Sequence, residues 1–110
     1  MTTQVHIDAG ICGFCTKATV TCEDGQHALF AVTSDCEKIQ RLATALAAAG
    51  AVDAFAEISP GSQSQLLGAA RATLKGCCAA CAVPVGLFKG MQVAAGLALP
   101  KDIGIRIQAD

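Results

Sequence analysis

Residues 17–37 read KATVTCEDGQHALFAVTSDCE, and this stretch decides the fold. At its start Ala18, Val20 and Cys22 alternate with Lys17, Thr19, Thr21 and Glu23. A period of two places the first set on one face of a half-buried strand. Asp24-Gly25 is a strong hairpin signal, because both residues tolerate the positive φ of a tight turn. From His27 to Thr33 the alternation resumes, with Ala28, Phe30 and Val32 sharing a face. The period then changes. Ser34 is followed three residues later by Glu37, the capping-box spacing that opens a helix, and Ile39, Leu42, Ala43 and Leu46 continue as a helical stripe up to Gly50.

The neighbouring sequence extends this pattern on both sides. Upstream, Val5, Ile7 and Ala9 alternate with His6 and Asp8, a further strand, and Gly10 to Phe14 forms the turn after it. Downstream, Val52, Phe55 and Ile58 suggest a short helix ended by Ser59-Pro60-Gly61. Gln63 to Lys75 reads as another, with Leu66, Leu67, Ala70 and Leu74 inward and Gly76 as the stop. Pro84 suits the first turn of a final long helix running to about Leu99. Ile103, Ile105 and Ile107 alternate with Gly104, Arg106 and Gln108, a last strand. With no repeat or linker, residues 1–110 are expected to form one α+β domain. Its order is a three-stranded antiparallel meander, three or four helices, and a C-terminal strand.

Composition narrows the function. Hydrophobic residues are 53% of the chain and charged residues 15%, enough apolar material for a core. With four Phe and no Trp or Tyr, that core must be built from Ala, Val, Leu, Ile and Cys, which favours close backbone packing. A net charge of −1 with no basic block argues against a nucleic-acid partner, since phosphate binding needs clustered Lys and Arg. The apolar run from Cys77 to Pro100 is interrupted by Lys89, Gln92, Pro84 and several glycines, so a buried helix is favoured over a membrane span. The start, Met-Thr-Thr-Gln, lacks a secretory pattern, which makes a reducing cytoplasm the expected compartment. There, seven cysteines point to metal or redox chemistry more than to disulfides.

Where the thiols fall is informative. Cys12 lies in the first turn, Cys36 at the start of the helix after the third strand, and Cys81 just before the helix opened by Pro84. Backbone N–H groups at such junctions favour thiolate and can hydrogen-bond to sulfur. Cys12-Gly-Phe-Cys15 and Cys78-Ala-Ala-Cys81 are both CxxC, a spacing that lets two thiolates grip one metal, and two such pairs can complete four-sulfur coordination. Cys78 is the expected fourth ligand, and Cys15 its main rival. Cys22 shares its face with Ala18 and Val20 and reads as core. Cys77, next to Cys78, reads as packing. His6 and His27 fall on polar strand faces. Asp35 reads as part of the helix start, with a second role as a gate to the site.

With these positions placed, the chain resembles the U-type iron–sulfur scaffold family, the IscU and NifU N-terminal domain group. Cys12-Gly13, Cys36 and Cys81 match its three cysteine positions in order and context over roughly residues 4–98. The chain is also similar to small TSCPAD-type cysteine proteins. It is most similar to a family of uncharacterised small proteins of anaerobic microbes, through residues 7–14, Ser34-Asp35-Cys36, residues 79–84 and residues 93–102. The resemblance implies a bound iron–sulfur cluster and a partner for redox or cluster exchange. The chain also departs from the scaffold pattern. Phe14 stands where U-type scaffolds have Asp, Ala80 where they have His, and the Leu-Pro-Pro-Val-Lys docking segment is missing. These departures imply a cluster that is kept rather than handed on.

The leading expectation is therefore a small cytoplasmic iron–sulfur protein with no catalytic residues. It would hold [4Fe–4S], with [2Fe–2S] as the variant, for electron transfer, storage or carriage, or sensing. The composition also permits a homo-oligomer. A structural zinc module is the second reading, because zinc takes the same four thiolates. A Cys12/Cys15 dithiol oxidoreductase is the third. That motif normally follows a strand and opens a helix, whereas Thr16 to Glu23 alternates like a strand. No GxGxxG, P-loop, HExxH or GxSxG pattern is present.

Overall fold

The computed structural model describes residues 1–59, 61 and 63–110. Three antiparallel strands, β1 (Thr2–Asp8), β2 (Cys15–Thr21) and β3 (His27–Ser34), lead into helix α1 (Glu37–Ala49). A two-residue strand β4 (Val52–Asp53), helix α2 (Ala54–Glu57) and helix α3 (Gln65–Thr73) follow. A single 3-10 turn (Gly76–Cys78) and helix α4 (Val83–Ala94) complete the order. The sheet runs β1-β2-β3-β4, so β1 is an edge strand. The fold is α+β, as the alternating and helical periods predict.

The expected strand faces are found. Val5 pairs with Ala18, Ala18 with Val32, and Val20 with Phe30, so the apolar rows line up across the meander. The Asp24-Gly25 hairpin forms, with Gly25 at φ 74° and Asp24 accepting the N–H groups of Gln26 and His27. One face of this sheet carries α1, α3 and α4. α1 packs on β3, α4 lies over β1 and β2, and α3 bridges α1 and α4. The core has two parts. One joins Ala18 to Ile39, Leu42, Leu46, Leu66, Ala70, Leu74, Val83 and Leu87; the other gathers Val20, Cys22, Ala28, Val52, Ala54, Met91 and Ala94.

A core without Trp or Tyr is closed by bringing backbones together. A Cβ at Gly86 would lie 2.6 Å from Cδ1 of Ile7, and one at Gly90 would lie 2.5 Å from Cγ2 of Val5. These two glycines let α4 settle onto β1. The apolar stretch Gly76–Ala94 is long and apolar enough by composition to cross a membrane. In this fold it is divided between the 3-10 turn and α4, and Val83, Leu87, Met91 and Ala94 pack in the core.

Several expectations need correction. Ile103 to Ile107 form no strand; residues 99–110 are exposed and belong to no element. Alternation gives a segment two faces, but a strand also needs a partner, and this one has none among the described residues. α4 ends at Ala94, five residues before Leu99, where Ala95 caps it and Gly96 turns the backbone at φ 77°. Val52 belongs to β4 rather than to a helix, because its N–H and C=O are placed beside Ala28. α1 starts at Glu37 with Cys36 as its cap residue, and Ser34 Oγ accepts the Cys36 N–H at 3.1 Å. α3 begins at Gln65 with Ser64 as its cap. In the expected Ser59-Pro60-Gly61 stop, Pro60 lies outside the described residues.

Candidate metal centre

The end of the sheet where β1 stops and β2 begins carries the thiols. Gly10 at φ 93° and Gly13 at φ 75° fold the β1–β2 connection into a tight turn, with the Gly13 N–H bonded to Gly10 O at 2.9 Å. Asp8 Oδ1 accepts the Gly10 N–H at 3.0 Å and steadies the entry to the turn. Cys12 sits exposed at its tip. β3 ends at the same side of the sheet and delivers Cys36 to the cap of α1. α3 returns there at Leu74, and the 3-10 turn after it presents Cys78. The Cys81 N–H bonds to Cys78 O at 3.1 Å, which holds the second CxxC in a compact loop before α4.

These four cysteines line one cavity of about 450 Å³, together with Ala9, Phe14, Thr16, Asp35, Ile39, Arg41, Leu74 and Val83. Cys12 lies at the outside, while Cys36, Cys78 and Cys81 are half-buried and pack on the core. Burial pushes the Cys81 thiol up from its ordinary range, and the Val83 N–H opposes this. The charges of Cys78, Cys12 and Cys36 add to the upward push. Cys81 is therefore the thiol that feels the other three. Junction N–H groups were expected to favour thiolate, but at Cys81 burial is the larger effect. A bound cation reverses that balance, since a coordinating thiol gives up its proton.

Positive charge is already close at hand. Lys38 Nζ donates to Cys78 Sγ at 3.4 Å and to Lys75 O at 3.5 Å, and Arg41 lines the same wall. Asp35 and Glu37 stand at the mouth. Asp35 thus lines the cavity, one residue before Cys36. Among the described residues, no three His, Cys, Asp or Glu side chains are grouped closely enough to hold a single metal ion. The thiols surround a space rather than meet at a point.

The remaining cysteines divide differently from expectation in one case. Cys22 is fully buried in the core, as its strand face predicts, and burial pushes its thiol up. Cys15 is exposed as the first residue of β2, opposite Asp8, and does not line the cavity. Because Cys15 opens a strand, the helix-opening context of a thioredoxin-type pair is lacking. Cys77 is exposed instead of packed, because the 3-10 turn rotates Cys78 inward and leaves its neighbour outward. His6 and His27 are exposed on the outer sheet face, and His27 Nδ1 pairs with Asp24 Oδ2 at 2.6 Å. Lys38 and Arg41 were missed by sequence reasoning. Their signal was available, because both lie within the first turns of the helix that Cys36 caps.

The profile of a family of unknown function (DUF6951) matches residues 3–107, nearly the whole chain. The chain belongs to that family. No curated protein and no solved structure matches it. The DUF6951 match spans the Cys12 turn, the Cys36 cap and the Cys78–Cys81 loop within one continuous alignment.

Proposed function

We propose that this DUF6951 protein is a small iron–sulfur protein whose cluster is held by Cys12, Cys36, Cys78 and Cys81. The observation that carries this reading is convergence. Four thiols from a turn, a helix cap, a 3-10 turn and a pre-helix loop line one cavity. The donor set fits the group, because four cysteines are the usual ligands of a [4Fe–4S] or [2Fe–2S] centre. The size of the cavity favours a cluster over one zinc ion.

When bound, such a cluster supplies a one-electron redox centre. The chain's own residues prepare the place for it. Ile39, Leu74 and Val83 form apolar walls that keep water back. Lys38 and Arg41 bring positive charge toward the net negative charge of four thiolates. In surroundings of reduced dielectric, that offset is worth several times its value in water. The reading fits electron transfer, or cluster storage and carriage with a partner protein, in a reducing cytoplasm. The resemblance to U-type scaffolds supports the cluster. Phe14 and Ala80, in place of Asp and His, support retention over hand-off.

Anaerobic purification followed by iron, zinc and acid-labile sulfide analysis tests this. A brown protein with visible charge-transfer absorption is expected. Cys→Ser changes at 12, 36, 78 and 81 should each bleach or weaken it, whereas Cys15→Ser and Cys77→Ser should not. An anaerobic sample with neither iron nor labile sulfide would sink the cluster. Stoichiometric zinc on the same four thiols would establish the zinc module instead. A Cys12–Cys15 disulfide without stoichiometric metal would establish the dithiol oxidoreductase.

A further inference from the structure

We infer that the C-terminal tail of one molecule adds as a strand to the free edge of β1 in a second copy, so that two chains exchange tails in a symmetric dimer. Residues 99–110 are exposed throughout. Within them Ile103, Ile105 and Ile107 are 57%, 73% and 90% exposed, so the apolar side of the tail becomes barer as it leaves the body. One exposed isoleucine is unremarkable, but three at a period of two make an apolar strip of the kind a sheet edge receives. β1 is such an edge. It pairs with β2 on one side only, and its inward residues Val5 and Ile7 are only half-buried. A tail strand placed there would cover both side chains. An uncovered edge flanked by an apolar strip is a recognised template for strand addition.

Charge and direction choose the occupant. With Ile107 set antiparallel against Ile7, Arg106 falls opposite Asp8, an opposite-charge pair on the outer face. The same register puts Gln108 opposite His6 and Ile105 against Ala9. The molecule's own tail cannot take this place. α4 passes Ile7 at Gly86 and Val5 at Gly90, then packs beside Cys22, whose N–H and C=O bond to Met1. The tail therefore departs from the Thr2 end of β1. To lie antiparallel it would first have to climb the strand, about 20 Å, and its isoleucines would be used up on the way. The parallel place beside its own β1 is within reach, and the tail does not take it. A second copy offers the antiparallel edge at no such cost, and a two-fold axis makes the exchange mutual.

The test is the solution mass of the full chain and of a chain ending at Pro100, by light scattering across a concentration series, with amide exchange on both. The full chain is expected at twice the chain mass. The truncated chain should run at half of that with unchanged circular dichroism, since the removed residues pack on nothing. Slow exchange should appear together in residues 106–110 and in the edge-facing N–H groups of β1, and be lost from those groups on truncation, while the N–H groups of β1 that bond to β2 stay protected. Ile107→Asp, at the position set against Ile7, should reproduce the truncation within the full-length chain, and cluster content does not enter the readout. A full chain that stays monomeric overturns the inference. So does a dimer that survives truncation, or a monomer whose tail is protected on its own edge.

Discussion

Among the described residues Glu57 is the one carboxylate in the core, 8% exposed, and it acts as a cap for a helix it does not belong to. Its two oxygens accept the Gln65 N–H at 2.8 Å, the Leu66 N–H at 2.7 Å and the Ser64 hydroxyl at 3.1 Å. Those N–H groups open α3 and have no partner within the helix. Glu57→Ala would leave them buried and unpaired, and is expected to cost about 1–3 kcal/mol in urea unfolding. Nothing in the local pattern marked this residue; it reads as a surface charge in a short helix until Ser64 is known to cap α3. A second residue-scale prediction concerns His27. Its hydrogen bond to Asp24 raises the imidazole above its ordinary range, and the Asp24 carboxyl is held well below its own. The histidine's share of stability is fully present below the ordinary histidine range and fades as pH rises through the elevated value. The aspartate's share is present above the ordinary carboxyl range and fades only in strong acid. Both groups are exposed, so the stability effect is small. An NMR titration should find His27 titrating above the ordinary histidine range, and Asp24→Asn should bring it back toward that range.

Among the elements, α4 depends most on what its residues lack. In an isolated helix Gly90→Ala would be favourable by about 1 kcal/mol. Here the new methyl would meet Val5, a stiff β-branched side chain, so α4 or β1 must move. Net destabilisation of about 1–3 kcal/mol is expected by thermal unfolding, as for other overpacked interiors. The sequence made several elements legible and left others hidden. The meander could be read because alternation, hairpin chemistry and helical period agreed over residues 17–46. β4 could not, because two residues carry no period. The choice between Cys77 and Cys78 depended on how one 3-10 turn rotates, and a CxxC spacing only hinted at it. Ile103–Ile107 has the right pattern for a strand, yet no pattern says where a partner lies.

For the whole molecule, the site ties together segments far apart in the chain. A ligand that holds residues 12, 36, 78 and 81 at once binds only the folded arrangement. It raises stability by the logarithm of its concentration over its dissociation constant, about 4 kcal/mol at a thousandfold excess. The loaded protein is therefore expected to melt well above the apo protein. Serine at any of the four positions should shrink that gap, while Cys15→Ser should leave it intact. Differential scanning calorimetry under anaerobic conditions would show this. Three thiols of the cavity, Cys12, Cys36 and Cys81, were legible from their junctions; Lys38 and Arg41 were missed because they read as the solvated face of an amphipathic helix, although their place just after Cys36 was a signal that could have been used.

The aliphatic core has an optical consequence. With neither indole nor phenol in the chain, the protein is nearly transparent in the near ultraviolet and has no useful intrinsic fluorescence. Its concentration must be followed by peptide absorbance or by mass. In return, any band between the near ultraviolet and the visible has only thiols, or what the thiols hold, as its source. The spectrum of this chain is in effect the spectrum of its site.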